Sequence, residues 1–434
     1  MAEGRGGAAA ARPKAGPAWQ PAEAEVSQEV ALRAQMKAPR VTLLITLTGR
    51  DRPGVTSRLF SVLAAHPLTV ADVEQVVIRG RLVLGALVSC EGSIDLTAAH
   101  QEIMKVAADL GLDAEITIGT GEAADGGRRR GQLHVTVLGS PLLPSAMAAI
   151  AGRIAAGGAN IDRIGRLARY PVTCIELDVS GADPESLRAG LSAEAVAQQV
   201  DVAVQRGGLH RRAMRLIVMD VDSTLVQGEA IEMLARRAGS AEQVGAVTSA
   251  AMRGELDFAS ALRERVALLA GLDASAVDEV REELRLTPGT RTLIRTLKRL
   301  GYRCGIVSGG FAQITDTLVE QLAIDYSAAN RLEIVDGRLT GRLAGPIIDR
   351  AGKARVLAQF ARQAGVPLSQ TVAIGDGAND LDMITAAGLG VAFNAKPVVR
   401  DAADTSVSVP YLDAILYLLG ISRDEVEAAD AEEA

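Results

Sequence analysis

The period of apolar positions changes along the chain, and each change marks a different kind of element. From Val41, VTLLITLTG reads as a strand, GRDRPG as a turn, and VTSRLFSVLAAH as a helix with its apolar residues on one face. VADVEQVVIRG and RLVLGALVSC follow as a hairpin, then a helix from Leu96 to Leu110 and the strand AEITIG, completing a βαββαβ order. That order returns: strand QLHVTVLG, helix LPSAMAAIAGRIAAGG, strands NIDRIGRLAR and VTCIELDVSG, helix DPESLRAGLSA and strand QVDVAVQR. Two diverged copies of one small α+β unit therefore stand in tandem.

After GGLHRR the pattern becomes α/β. The short apolar runs RLIVMD, YRCGIVSGG, QTVAIGDG and GLGVAF alternate with helical segments such as TRTLIRTLKRLG, FAQITDTLVEQLA and KARVLAQFARQAG. Strands buried on both faces read this way, which predicts a Rossmann-like parallel sheet covered by helices. Directly after the first strand, residues 229 to about 286 insert a helical segment rich in Ala, Arg and Glu. Ligands in such sheets bind at the C-terminal strand ends, so this insertion is placed to cap a site there.

The predicted organisation is a flexible N-terminal arm at 1–39, helical near Glu25 to Lys37, and a first βαββαβ domain at 40–119. A linker at 120–131, the second copy at 132–206 and a second linker at 207–213 follow. The α/β domain spans 214–420 with its cap at about 228–287, and the acidic tail 421–434 reads as solvated and mobile.

Composition narrows the function. A chain of 434 residues exceeds what one core organises, and 48% hydrophobic with 23% charged residues is ordinary globular usage. The net charge of −7 argues against nucleic acid as a partner. There is no apolar run of about 20 residues to enter a membrane, and the N-terminus does not read as a signal peptide. The expected location is the cytoplasm. Cys90, Cys174 and Cys304 form no CxxC and suit a reducing compartment, while His66, His100, His134 and His210 are scattered.

Four polar clusters follow successive core strands: Asp220 to Thr224, Ser308-Gly309-Gly310, Lys353 at a helix start, and Gly375 to Asp380. Together they suit a phosphate and a divalent cation. Asp220 fits a nucleophile, because a carboxylate forms an aspartyl-phosphate that divides hydrolysis into two steps. Two anions must then meet; at 4 Å a like-charge pair costs about 4 kcal/mol at an effective dielectric of 20. Mg²⁺ answers that need, with Asp220 and Asp376 as side-chain ligands and the Asp222 carbonyl as a third. Asp222 serves as general acid and then base. Ser308 with the Gly309 and Gly310 N–H groups binds phosphate oxygens, and Lys353 offsets the gathered charge.

DVDST, VSGG, the lysine of Gly352-Lys353 and GDGAND resemble the four motifs of the haloacid dehalogenase-like hydrolases. Within them, the span from Arg215 to Gly420 resembles the phosphoserine phosphatases. The resemblance implies Mg²⁺-dependent hydrolysis of O-phospho-L-serine to L-serine, the last step of serine biosynthesis. It also implies Glu229 on the substrate ammonium, Arg265 on its carboxylate, Asn379 on the phosphate, and Met252 and Phe258 walling the site. An aspartate at Asp222 distinguishes phosphatases from the P-type ATPases, which carry Thr there.

Both βαββαβ copies resemble ACT domains, modules that commonly bind amino acids. In the first copy Gly49, Arg50, Asp51, Arg52, Pro53 and Gly54 stand where that family places its ligand loop. An amino-acid effector such as L-serine and a homodimer are implied. The equivalent turn of the second copy, Gly139 to Leu143, lacks the Asp-Arg pair. Three alternatives stay open: a phosphotransferase, a phosphatase for another small phosphorylated metabolite, and a non-catalytic amino-acid sensor.

Overall fold

The computed structural model describes residues 40–91, 96–120, 132–253 and 255–433. The expected arm at 1–39 and nearly all of the 120–131 linker lie outside them. The chain divides into two compact units at Arg128.

The first unit comprises β1 (Arg40–Arg50), α1 (Val55–Leu63), β2 (Thr69–Ile78), β3 (Arg81–Glu91), α2 (Thr97–Leu110) and β4 (Leu112–Thr120). Its antiparallel sheet has the order β2-β3-β1-β4. The period-two residues Leu43, Ile45 and Leu47 of β1 meet the i, i+4 stripe Val55, Leu59 and Leu63 of α1 in one core.

The second unit opens with the repeat: β5 (Leu133–Gly139), α3 (Pro144–Ala156), β6 (Asn160–Ala168), β7 (Thr173–Ser180), α4 (Pro184–Gln198) and β8 (Asp201–Arg206), with sheet order β6-β7-β5-β8. The helix expected to stop at Ala193 runs on to Gln198, because Leu187, Leu191 and Ala195 continue its buried stripe.

The α/β part begins with β9 (Leu216–Met219) and the cap helices α5 (Ala230–Ala238), α6 (Ala241–Met252), α7 (Phe258–Ala267) and α8 (Ser275–Glu283). It continues with α9 (Thr290–Arg299), β10 (Arg303–Phe311), α10 (Ala312–Leu322), β11 (Tyr326–Val335), β12 (Arg338–Ala344) and α11 (Arg350–Ala364). Then come β13 (Thr371–Gly375), α12 (Leu381–Ala386), β14 (Leu389–Phe393), α13 (Pro397–Ala402), β15 (Thr405–Val407) and α14 (Arg423–Glu433). The sheet order is β12-β11-β10-β9-β13-β14-β15, parallel except for β12. β9 is therefore central, and its C-terminal end opens onto the crevice between β10 and β13. The β11–β12 hairpin was not anticipated. It turns at Asp336-Gly337, both at positive φ (50° and 75°), and sends Leu332 and Leu339 into the core of the cap.

Two sequence expectations are corrected here. The 207–213 linker contains a helical turn, Leu209–Arg212, that ties the repeat to the α/β part. Arg211, 8% exposed, pairs with Glu176 of β7 and donates to the carbonyls of Leu418 (2.8 Å) and Tyr417 (2.7 Å). Around it Leu138, Cys174 and Ala203 share one apolar core with Ile217, Tyr417 and Leu418. Asp201 adds a bond from the Ser408 N–H at 2.7 Å. The second correction concerns the acidic tail, which is the helix α14. Val426 is buried, and Asp430 bridges Arg295 (2.5 Å) and Arg299 (2.6 Å).

Arg211→Met strands Glu176 and removes the donors to two carbonyls. The expected loss is about 3–5 kcal/mol, the usual result of breaking a buried pair from one side. It is read as a lower urea midpoint, partly recovered by Glu176→Gln in the same chain.

Candidate active site

β9 stops at Met219, and the chain then makes a tight turn in which Ser223 takes a left-handed conformation (φ 58°). The turn brings the carboxylates of Asp220 and Asp222 to the same cavity, of about 390 Å³. Asp376 and Asn379 reach it from the loop after β13, Gly309 and Gly310 from the end of β10, and Glu229 and Arg265 from the cap. Phe258 lines it too; the side chain of Met252 lies outside the described residues.

Ser308 and Lys353 are buried in the wall itself, 1% and 0% exposed. Lys353 lies 2.7 Å from Asp220 and 2.6 Å from Asp380. Burial opposes its charge, but the two carboxylates outweigh burial and hold its pKa above the ordinary lysine range. Asp220 is pushed up by burial and then by Asp380, with Lys353 pulling back. Asp376 is pushed up to about 6, first by burial and then by Asp380. Its carboxylate is also held by the Thr224 hydroxyl at 3.3 Å.

Asp222 is oriented by two donors. The Ala230 N–H at the start of α5 reaches Oδ1 (2.9 Å), and the Ser308 hydroxyl reaches Oδ2 (3.1 Å) while accepting from the Gly310 N–H (2.7 Å). This packing requires glycines. A Cβ on Gly310 would lie 2.7 Å from Asp222 Oδ2, and one on Gly309 would lie 2.9 Å from the Phe258 ring.

On the cap side, burial raises the Glu229 carboxyl and lowers the Arg265 guanidinium, while each partner's charge works against those shifts. An acid and a base thus share the wall facing the strand ends. Both are more than half withdrawn from solvent, where charge complementarity to a ligand has most effect.

The oxygens of Asp220, Asp376 and Asp380 lie within 4.8 Å of one another. Three clustered carboxylates share one cation, Lys353, so the set is short of positive charge and offers hard oxygen donors. That fits a divalent cation of the Mg²⁺ type. Asp380 is the residue that sequence reasoning missed. It stands four residues beyond Asp376 in GDGAND, at the end of a single 3-10 turn, and is wholly buried.

In the first unit, Asp51, Arg52, Pro53 and Gly54 are exposed at the turn into α1. Gly54 caps that helix at φ 92°, and the Asp51 N–H donates to Gly80 O at 2.8 Å. Gly49 is buried behind the turn against Leu112.

Comparison with known proteins matches residues 217–385 to the haloacid dehalogenase-like hydrolases, and residues 41–117 and 132–205 each to an ACT domain. The chain is 63% identical over 394 residues to the phosphoserine phosphatase of Streptomyces coelicolor, covering 90% of this chain and 94% of that relative. It is 56% identical over 399 residues to a phosphoserine phosphatase of Mycobacterium tuberculosis, covering 90% and 96%. Among solved structures, a probable phosphoserine phosphatase from Vibrio cholerae in unliganded form superimposes with a TM-score of 0.54 at 34% identity. That match covers 69% of this chain and 90% of the other.

Proposed function

The chain belongs to the phosphoserine phosphatases, haloacid dehalogenase-like hydrolases preceded here by two ACT domains, and from that membership we propose how its residues act. The reaction is hydrolysis of O-phospho-L-serine to L-serine and phosphate. The observation that carries the reading is the polarity of the cavity: Asp220 held against Lys353 on one side, Glu229 and Arg265 on the other.

Glu229 takes the substrate ammonium and Arg265 its carboxylate, which sets the phosphoryl group over Asp220. Asp220 attacks phosphorus as the bond to the serine oxygen breaks, and Asp222 gives that oxygen its proton. Asp222 then takes a proton from the water that attacks the aspartyl-phosphate, which frees phosphate and restores Asp220. Asn379 and the Gly309 N–H hold phosphoryl oxygens, joined by the Ser308 hydroxyl and the Gly310 N–H as these exchange their bonds to Asp222 and Ser308 for the substrate, and Phe258 keeps bulk water out. Asp220, Asp376 and the Asp222 carbonyl would hold Mg²⁺, with Asp380 and Lys353 behind them. When bound, the ion supplies positive charge where nucleophile and phosphoryl group would otherwise repel.

The test is phosphate release from O-phospho-L-serine beside phosphothreonine, a sugar phosphate and a nucleotide, with and without Mg²⁺. Strong preference for phosphoserine with metal is expected; broad or absent turnover would leave Glu229 and Arg265 without the clamp role. Protonation of Asp376 competes with the cation. Apparent Mg²⁺ affinity should therefore be level above about pH 6 and fall about tenfold per unit below it, as read by metal titrations of phosphate release.

The reading extends to the rest of the chain. L-serine or another amino acid would act as effector at the Gly49 to Gly54 turn, where α1 presents free N–H groups to a carboxylate. Asp51→Ala should then remove any effect of added L-serine while leaving uninhibited turnover intact. The ACT domains would also pair two chains as a homodimer. Three buried free cysteines support a reducing compartment, the cytoplasm, where the reaction completes serine synthesis.

A further inference from the structure

Lys396 stands just before α13 and lines the catalytic cavity, yet none of the steps above uses it. Its backbone N–H reaches the Asp376 carbonyl at 3.4 Å, so the residue is anchored to the loop that carries Asp376. Its charge lies close enough to Glu229 to ease ionisation of that carboxyl. Its side chain is exposed, at the opening of the site rather than beneath it.

Two further cations line the same cavity. Arg265 faces Glu229 from the cap, and Arg350 holds Asp382 through two nitrogens, both at 2.6 Å. Four acids, Asp220, Asp222, Glu229 and Asp376, face the same space. The substrate approaching them bears a phosphate of about −1.5 to −2 charge and a carboxylate, balanced by one ammonium. An anion entering an acid-lined cleft needs a positive charge near its mouth, because such charges act during approach.

We propose that Lys396 is a substrate-capture residue. Its ammonium draws the anionic phosphomonoester into the cavity and offsets the acids of the entrance, without taking part in phosphoryl transfer. This deepens the reading above and rests on phosphoserine being the substrate.

The experiment measures kcat and KM for O-phospho-L-serine at saturating Mg²⁺ in wild type, Lys396→Gln and Lys396→Arg, at low and high NaCl. Lys396→Gln is expected to raise KM about three- to fivefold, the scale of an exposed charge interaction, with kcat within about twofold. The difference should shrink at high salt as screening grows, and Lys396→Arg should restore the wild-type KM. An unchanged KM in Lys396→Gln, or a fall in kcat at constant KM, overturns the capture role while the phosphatase reading stands. Wild-type protein inert towards phosphoserine overturns both.

Discussion

Asp220→Asn lowers kcat by about 10⁴-fold or more, the scale seen when a covalent nucleophile is removed, and the protein stays folded. Asparagine keeps the shape and still accepts the Val221 N–H, which reaches Asp220 Oδ1 at 2.8 Å, but its amide cannot form an acyl-phosphate. Stability should not fall. The fold holds the Asp220 carboxyl above its unfolded pKa, so ionising it costs stability as pH rises through the folded value. A neutral amide removes that cost, and Lys353 keeps Asp380 as its partner at 2.6 Å. Kinetics and a thermal melt on one preparation separate the two effects: activity lost, melting temperature unchanged or raised.

Lys353→Met has the opposite stability signature. It lowers kcat by about 10²–10³-fold, as loss of one preorganised charge does. It also destabilises by about 3–5 kcal/mol, because removing one partner leaves buried charges uncompensated. Asp220 and Asp380 would then face each other without the cation they share. Adding Asp380→Asn removes one of the two charges and should recover part of the stability but not the activity. Urea unfolding and steady-state phosphate release on the single and double variants give both readouts.

The strand-end clusters were legible because each is a short contiguous run at the end of an apolar strand, where parallel sheets place ligand groups. The structure brings Asp220, Asp222, Asp376 and Asn379 of those clusters to one cavity, and the cap adds Glu229 and Arg265, which only the family resemblance had singled out. Asp380 escaped because what distinguishes it is contact with Lys353, distant in sequence. Packing that depends on remote partners was illegible for the same reason. Nothing in QVDVAVQR says that Ala203 shares a core with Tyr417. In DEVEAADAEEA the acidic composition conceals both the buried Val426 and the reach of Asp430 to Arg295 and Arg299. The β11–β12 hairpin did carry a local signal, the Asp336-Gly337 turn, but its strands YSAANRLEIV and RLTGRLA mix charged and small residues with apolar ones and form no apolar run.

The mechanism is tested most directly by rapid acid quench of the protein with phosphoserine labelled in its phosphoryl group, followed by mapping of any label retained on the chain. The account predicts transient label on the peptide containing Asp220, lost in Asp220→Asn and released by hydroxylamine as an acyl-phosphate is. Rapid turnover without retained label under conditions that stabilise acyl-phosphates, or label that persists in Asp220→Asn, would contradict it.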